Sequence, residues 1–183
     1  MPNLREQLKQ CFQGSACLVG LGNPDYGDDG LGVKLAEAIS ERLTGMGKYA
    51  LVRHVVNAGA TPERFIGPVK ELGCDHLIFI DAVDFGGETG SAILLDEDEM
   101  EARFPQISTH KISVKLLAKL FGENGRTKVR LLGVQPRSLQ SGKGLTPVVQ
   151  KTVDILSELL CDLLVAGKQV DHCVEGCKAE ALI

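Results

Sequence analysis

Two patterns of apolar residues alternate along the chain. Short, nearly continuous apolar runs are typical of buried β-strands. They predict strands over 16–22, 51–56, 76–83, 91–96 and 129–135. Stretches in which apolar residues recur every three or four positions predict amphipathic helices. These helices cover about 29–45, 61–73, 110–122 and 147–166.

The ends of two helices carry recognisable signals. Thr61-Pro62 and Thr146-Pro147 each place a capping residue before a proline at the first helical position, and Gly167 follows the last apolar repeat. The resulting order β-α-β-α-β-β-α-β-α predicts an α/β fold, a three-layer α/β/α sandwich with a mostly parallel five-stranded sheet and helices on both faces. The short turn 85–90 predicts one antiparallel strand pair.

Length and composition indicate one folded domain. The chain has 183 residues, of which 44% are hydrophobic and 24% charged, and this balance argues against disorder. We expect a single α/β domain over 1–167 and a polar C-terminal tail over 168–183. The acidic run 96–99 is interpreted as a solvated loop.

Charge and hydropathy exclude some classes of partner. The formal net charge of -4 argues against nucleic acid, because binding phosphates takes clustered Lys and Arg. No apolar run approaches the ~20 residues that span a bilayer, and the first residues lack the apolar core of a signal peptide. We therefore expect a cytoplasmic protein with no nucleic-acid or membrane partner.

The six cysteines lie at irregular spacings without a C-x-x-C pair. Free thiols are the expected state in a domain of this size. His172-Cys173 and Cys177 resemble a metal tract only faintly, because a second half-site is missing. A solvated tail is the preferred interpretation of this segment.

Polar side chains follow three of the predicted strands. Asp28 and Asp29 follow the first strand, Asn57 the second, and Asp81 and Asp84 the third. In open α/β sheets, ligands bind beyond the carboxyl ends of the strands. These side chains are therefore expected to converge at one edge of the sheet.

The glycine-rich turn after the first strand does not fit a nucleotide site. Gly20-Leu21-Gly22 lacks the third glycine of the dinucleotide fingerprint, since Asp25 stands in its place. Two further aspartates would repel a phosphate, and no lysine of the P-loop type follows. A nucleotide ligand is thus disfavoured.

The pair Asp28-Asp29 has two interpretations. Aspartates at a helix start commonly cap it, each contributing about 0.5–1 kcal/mol. One aspartate is enough for a cap, so we assign Asp28 as the cap and expect Asp29 to point toward the strand ends. Asp81 ends an apolar strand, where it is either a hydrogen-bond acceptor or a functional carboxylate.

His110 is the histidine best placed for chemistry. His54 and His76 belong to strands and are interpreted as structural, whereas His110 opens a predicted helix and is either a ligand or a loop histidine. Two carboxylates and one imidazole form a three-ligand set that leaves positions open on Zn²⁺ or Ni²⁺. No H-E-x-x-H or G-x-S-x-G motif is present.

Several segments together resemble one family, the hydrogenase maturation endopeptidases, which trim the C-terminus of the large subunit of [NiFe]-hydrogenases. The matching segments are "LVGLGNPDYGDDGLG" (18–32), "NAGATPE" (57–63), "IDAVDFGG" (80–87), "STHKI" (108–112) and "LLGVQPRSLQSGKGLTPVV" (131–149). They cover residues from about 17 to 166.

The resemblance implies a function and a set of site residues. Asp29, Asp81 and His110 take the positions of the family's metal ligands, which are also its catalytic residues. The implied cofactor is nickel supplied by the substrate, with zinc or cadmium as possible substitutes in vitro. The implied partner is a [NiFe]-hydrogenase large-subunit precursor, from which a metal-dependent endopeptidase removes a C-terminal extension. A metal-polarised water could attack the scissile carbonyl.

One position departs from the family. Many relatives carry an aspartate where this chain has Asn57, whose neutral amide cannot act as a base or an anionic ligand. The segment 133–144 is interpreted as lining a peptide cleft. Two alternatives stay open: a peptidyl-tRNA hydrolase, which shares the "GLGNP" opening but requires a histidine missing here, and a non-catalytic nickel chaperone.

Overall fold

A central five-stranded sheet organises the protein. A computed structural model describes residues 3–103, 119, 121 and 126–167. The strands are β1 Ala16–Leu21, β2 Val55–Gly59, β3 His76–Ala82, β4 Ala92–Leu95 and β5 Lys128–Val134. Their order across the sheet is β2-β1-β3-β5-β4. All neighbours are parallel except β4 and β5, so the sheet has one antiparallel pair, as predicted. The pair is not formed by the two strands that the turn 85–90 joins, because β5 lies between β3 and β4.

Helices of very different length surround the sheet. They are α1 Leu4–Cys11, α2 Leu31–Gly45, α3 Tyr49–Val52, α4 Ile66–Glu71, α5 Glu97–Arg103 and α6 Pro147–Ala166. Two 3₁₀ turns, Pro24–Gly30 and Pro62–Phe65, precede α2 and α4. Lys119 and Phe121 are also helical, and the rest of the helix predicted over 110–122 lies outside the described residues.

The alternation of side chains along each strand creates two hydrophobic layers. In β1, Leu18 faces a layer completed by α1, α2 and α6. Val19 faces the opposite layer, to which α4, α5 and Phe121 contribute. Burial on both faces accounts for strands that are almost continuously apolar. The predicted three-layer α/β/α architecture is confirmed.

Three short helices, α1, α3 and α5, were not predicted. Asn3 begins α1 with a reciprocal capping box, in which its side chain accepts the Glu6 N–H at 3.0 Å and its own N–H donates to the Glu6 carboxylate. The acidic run assigned to a loop instead starts α5, where Asp96 accepts the Glu99 N–H at 2.9 Å. Burial of Met100 against the sheet fixes that helix, so the loop prediction was wrong.

The second predicted strand is displaced toward the C-terminus. Its first residues, Leu51 and Val52, belong to α3 and pack against the layer formed by α2. A hydrogen bond from the Lys48 N–H to the Leu43 carbonyl (2.8 Å) turns the chain back immediately after α2. Strand β2 therefore starts only at Val55, beside Leu18 of β1.

The described cysteines carry free thiols, as predicted, and Cys173 and Cys177 lie outside the described residues. Cys74 Sγ lies 3.6 Å from His54 Nδ1 inside the protein. Hydrogen bonds from Cys17 and then from His54 lower the pKa of Cys74 to about 6. His54 thus has a structural partner.

Among the helices of the described residues, none combines the length and the apolar character that a membrane span requires.

Candidate active site

The turn Pro24–Gly30, here called the aspartate turn, follows β1 because its residues favour a sharp change of direction. Gly22 has a φ of 120°, which favours glycine, and its N–H donates to the Gly59 carbonyl at the end of β2 (3.1 Å). The Asn23 side chain then accepts the Asp25 N–H at 3.0 Å and starts the turn. A kink at Gly27, with a φ of 58°, redirects the chain toward α2.

Glycines bring the start of α2 onto the sheet. A Cβ on Gly32 would lie 2.2 Å from the Ile80 carbonyl oxygen and 2.4 Å from that of Leu21. A Cβ on Gly20 would likewise lie 2.2 Å from the Gly32 carbonyl oxygen. The first turn of α2 therefore sits directly on the ends of β1 and β3, which a larger residue would prevent.

Asp29 and Asp81 lie at this same edge of the sheet. Asp29 is 6% exposed, and its Oδ2 accepts the Asn23 N–H at 2.8 Å. Asp81 is 1% exposed, and its Oδ1 accepts the Ala82 N–H at 2.8 Å. Gly20 of β1 is in register with Ile80, the residue before Asp81. Both carboxylates are thus fixed by backbone donors at the carboxyl ends of adjacent parallel strands.

The third predicted ligand, His110, lies outside the described residues. Within 3–103, 119, 121 and 126–167, no three His, Cys, Asp or Glu side chains are grouped so as to hold a metal ion. Carboxylate oxygens are nonetheless suitable donors for a divalent transition metal. A three-ligand site at this edge requires a donor such as His110.

Asp28 does not cap α2, contrary to the sequence-based prediction. The residue at that N-cap is Gly30, which forms no side-chain cap hydrogen bond. The fully buried Asp28 carboxylate instead accepts N–H bonds from Arg137 at 2.8 Å, from Ser138 at 3.0 Å and from Thr146 at 2.7 Å. It also accepts the Thr146 hydroxyl at 3.0 Å. Its role is to connect the aspartate turn to the segment before α6.

The other two polar residues near strand ends, Asn57 and Asp84, form hydrogen bonds with neighbouring elements. Asn57 is an exposed residue of β2, and its Nδ2 donates to Glu37 Oε1 of α2 at 3.4 Å. Asp84 is exposed beyond β3, where it accepts hydrogen bonds from Gln135 Nε2 and the Gly86 N–H. These bonds hold the pKa of Asp84 below its ordinary value.

Gln135 belongs to the segment 133–144 that was predicted to line a peptide cleft, although it was not among the predicted site residues, and it shapes the loop after β3. It is 7% exposed, and its Oε1 accepts the N–H groups of Phe85 (3.0 Å) and Gly87 (3.1 Å). The available signal was its position, since a polar residue directly after an apolar strand is also what drew attention to Asp81. Gln135 thus connects the end of β5 to the loop that follows β3.

Comparison with known proteins supplies the family. The model of the family described as HycI, hydrogenase maturation protease, matches residues 33–163. The chain belongs to the hydrogenase maturation proteases. The matched span contains Asp81, His110 and Gln135, and the aspartate turn lies immediately before it.

Individual relatives agree with this assignment. The hydrogenase 2 maturation protease of Escherichia coli K12 is 31% identical over 82% of this chain and 91% of its own length. The hydrogenase 3 maturation protease of the same organism is 28% identical over 78% and 86%. The crystal structure of a [NiFe] hydrogenase maturation protease HycI from Thermococcus kodakarensis superposes with a TM-score of 0.73, at 27% identity, over 87% of this chain and 99% of that one.

This protease is therefore a peptidase of hydrogenase maturation built on an α/β/α sandwich. The assignment favours the family resemblance over a peptidyl-tRNA hydrolase and over a non-catalytic chaperone, because the relatives are named as proteases. Its candidate active site is the carboxyl edge of β1 and β3, where Asp29 and Asp81 lie.

Proposed function

We propose that this protease is a nickel-dependent endopeptidase that removes the C-terminal extension of a [NiFe]-hydrogenase large-subunit precursor after nickel insertion, in the cytoplasm. Nickel belongs to the substrate, and Asp29, Asp81 and His110 bind it there. Water then adds across the scissile peptide bond and leaves a new C-terminal carboxylate and a released peptide amine. The nickel ion would polarise the water or the carbonyl.

The placement of Asp29 and Asp81 supports this proposal most directly. Both carboxylates are buried, and each is oriented by a backbone N–H. Asp81 lies near the end of β3 and Asp29 in the turn after the neighbouring strand β1, at the edge where α/β proteins bind ligands. Two carboxylates and an imidazole leave coordination positions open for groups of a loaded precursor. Such a set fits a metal that arrives with its substrate.

Nickel dependence is tested by offering two forms of one precursor. Purified protease is mixed with a [NiFe]-hydrogenase large-subunit precursor in its nickel-loaded and nickel-free forms, and mass spectrometry measures the shortened product. We expect cleavage of the loaded form alone. Precursor reconstituted with zinc or cadmium tests whether either ion replaces nickel. Equal cleavage of the nickel-free form would contradict nickel recognition.

The site assignment is tested by substitutions with matched controls. Asp29→Asn and His110→Ala should each lower cleavage at least about a hundredfold, because loss of a ligand should cost no less than loss of a residue that supports one. The controls are Asp25→Asn, an exposed aspartate of the same turn, and His172→Ala in the tail, and both should cleave normally. Normal processing by His110→Ala would show that the assignment is wrong.

A nickel carrier would behave differently in isolation. Tight carriage favours closed coordination by several His or Cys ligands, whereas the proposed set is open. Equilibrium dialysis of the isolated protein against Ni²⁺ should therefore detect only weak binding. A tight, stable nickel complex without cleavage of any loaded precursor would favour the carrier.

A further inference from the structure

A single buried carboxylate holds both ends of the loop 136–146. Asp28 is fully buried, and its Oδ2 accepts the N–H groups of Arg137 and Ser138 at the start of the loop. Its Oδ1 accepts the N–H of Thr146 at the end of the loop (2.7 Å). Hydrogen bonds to a charged acceptor are stronger than neutral ones. The loop is therefore fastened to the residue next to Asp29.

Backbone contacts fasten the middle of the loop as well. The Asp28 N–H donates to the Ser138 carbonyl at 2.9 Å, and the Gly142 N–H donates to the Asp25 carbonyl at 2.9 Å. A Cβ on Gly27 would lie 2.7 Å from the Ser138 carbonyl oxygen, so the two backbones touch. The loop and the aspartate turn thus form one continuous surface beside the candidate active site.

This surface exposes apolar side chains and positive charge. Tyr26 on the turn is 48% exposed, Leu139 on the loop 44%, and Val148 at the start of α6 42%. The loop also carries the exposed cations Arg137 and Lys143 and contains no acidic residue. Contiguous exposed apolar groups mark surfaces that bind other proteins, and aromatic residues and arginine are enriched in such interfaces.

We propose that Tyr26, Leu139 and the cations of the 136–146 loop form the docking surface for the large-subunit precursor, and that Asp28 is a positioning residue that holds this surface beside Asp29. The inference rests on the proposed function, because it takes that precursor as the occupant. The bound segment would present apolar and acidic side chains to the loop. Its position next to Asp29 would bring the scissile bond to the carboxylates.

The docking surface is tested with exposed residues whose replacement leaves the Asp28 hydrogen bonds in place. Leu139→Ser and Arg137→Ala should each raise the KM for the precursor about tenfold, since exposed anchors of an interface act mainly on binding. The kcat should stay within about twofold, because neither side chain belongs to the ligand set. Ile155→Ser and Lys151→Ala, exposed positions further along α6, are the matched controls and should leave KM unchanged. An unchanged KM in Leu139→Ser would overturn the proposal.

The positioning role of Asp28 is tested by a double-mutant cycle. Asp28→Asn places an amide N–H₂ against at least one backbone donor, because both carboxylate oxygens accept N–H bonds. If Asp28 acts by holding the loop, the effect of Leu139→Ser on KM should largely disappear in the Asp28→Asn background. If Asp28 has only a structural role, the effects of Asp28→Asn and Leu139→Ser on KM should multiply in the double variant. That result would overturn the positioning role of Asp28. Should Asp28→Asn fail to fold, Thr146→Val replaces it, since it removes only the hydroxyl bond.

Binding measured without cleavage separates this proposal from the proposed function. The dissociation constant of the precursor is measured for the wild type and for Leu139→Ser by sedimentation. If the wild type binds the precursor without cleaving it and Leu139→Ser binds about tenfold more weakly, the docking surface stands while the peptidase proposal fails. If both bind equally, the docking surface is overturned whatever happens to cleavage.

Discussion

At the scale of single residues, Ser15 and Asp75 connect the starts of β1 and β3. Asp75 Oδ2 accepts both the N–H and the hydroxyl of Ser15 at 3.0 Å, and the Asp75 N–H donates to Ser15 Oγ at 3.0 Å. These hydrogen bonds from Ser15 lower the pKa of Asp75. A carboxylate with a lowered pKa stabilises the fold above its ordinary pKa and loses that contribution as the pH falls through the folded value.

We therefore predict that Ser15→Ala lowers the free energy of unfolding by about 1 kcal/mol near neutral pH, because the Asp75 carboxylate loses the hydroxyl bond. The deficit should shrink as the pH falls below 3.8, the ordinary pKa of Asp75, since protonation weakens the bond in the wild type too. Urea unfolding of the wild type and of Ser15→Ala at several pH values measures this difference in the free energy of unfolding. Ser141→Ala, at an exposed loop position, serves as the control. A deficit that does not depend on pH would contradict this account.

Asp28 and Asp29 show what the sequence predicts about single residues and what it does not. Both were recognised as special, and Asp29 lies at the predicted edge, but Asp28 was misassigned as a cap. Its acceptor role depends on Arg137, Ser138 and Thr146, which lie 109 to 118 residues later. A local helix-start pattern contains no information about partners so distant. His110 as a ligand stays a prediction.

At the scale of secondary structure, the junction of α2 with the sheet decides where Asp29 lies. We predict that Gly32→Ala lowers the free energy of unfolding by about 1–3 kcal/mol, because the alanine Cβ would overlap the carbonyl oxygens of Ile80 and Leu21. Peptidase activity per folded molecule should also fall, since α2 must move away from β3. Urea midpoints and precursor cleavage measure the two effects.

Gly45 provides the matched control at the other end of the same helix. A Cβ there meets nothing within 4 Å, so Gly45→Ala should be neutral or stabilising by up to about 1 kcal/mol. Wild-type stability and activity in Gly32→Ala would show that the close approach does not position the site.

Element prediction succeeded where local signals agreed with packing. Helix α6 runs from Pro147 to Ala166 as its proline start and glycine stop predicted. Helix α5 was missed although its start carries a local signal, since Asp96 and Glu99 form a reciprocal capping box. Leu51 and Val52 were predicted as strand but belong to α3 and pack against the layer formed by α2, so there tertiary contacts override β-propensity.

At the scale of the whole molecule, α6 packs along one face of the sheet until it ends at Ala166. Helix α6 ends where the Gly167 N–H donates to the Leu163 carbonyl at 2.8 Å, and Leu160 and Leu164 complete its buried face. The α/β/α class was predictable from the alternation of elements. The strand order was not, because the insertion of β5 between β3 and β4 has no local signature.

A chain that ends at Gly167 should keep the melting temperature within about 2 °C and cleave the precursor normally, because the sequence predicts a polar tail over 168–183 and changes at the surface contribute little to stability. Calorimetry and the cleavage assay check this expectation. A chain that ends at Leu159 is the comparison, and it should unfold because it lacks the buried Leu160 and Leu164. If the chain that ends at Gly167 stays folded but no longer cleaves the precursor, the tail 168–183 takes part in cleavage.

The long sequence separation between Asp28 and its hydrogen-bond partners also affects how the protease folds during synthesis. Thr146, one of its partners, is translated 118 residues after Asp28. A growing chain cannot complete the hydrogen bonds of Asp28 until Thr146, just before α6, has left the ribosome. The peptidase site should therefore form only after Thr146 has been synthesised, and fragments that stop before Thr146 should leave precursors uncut.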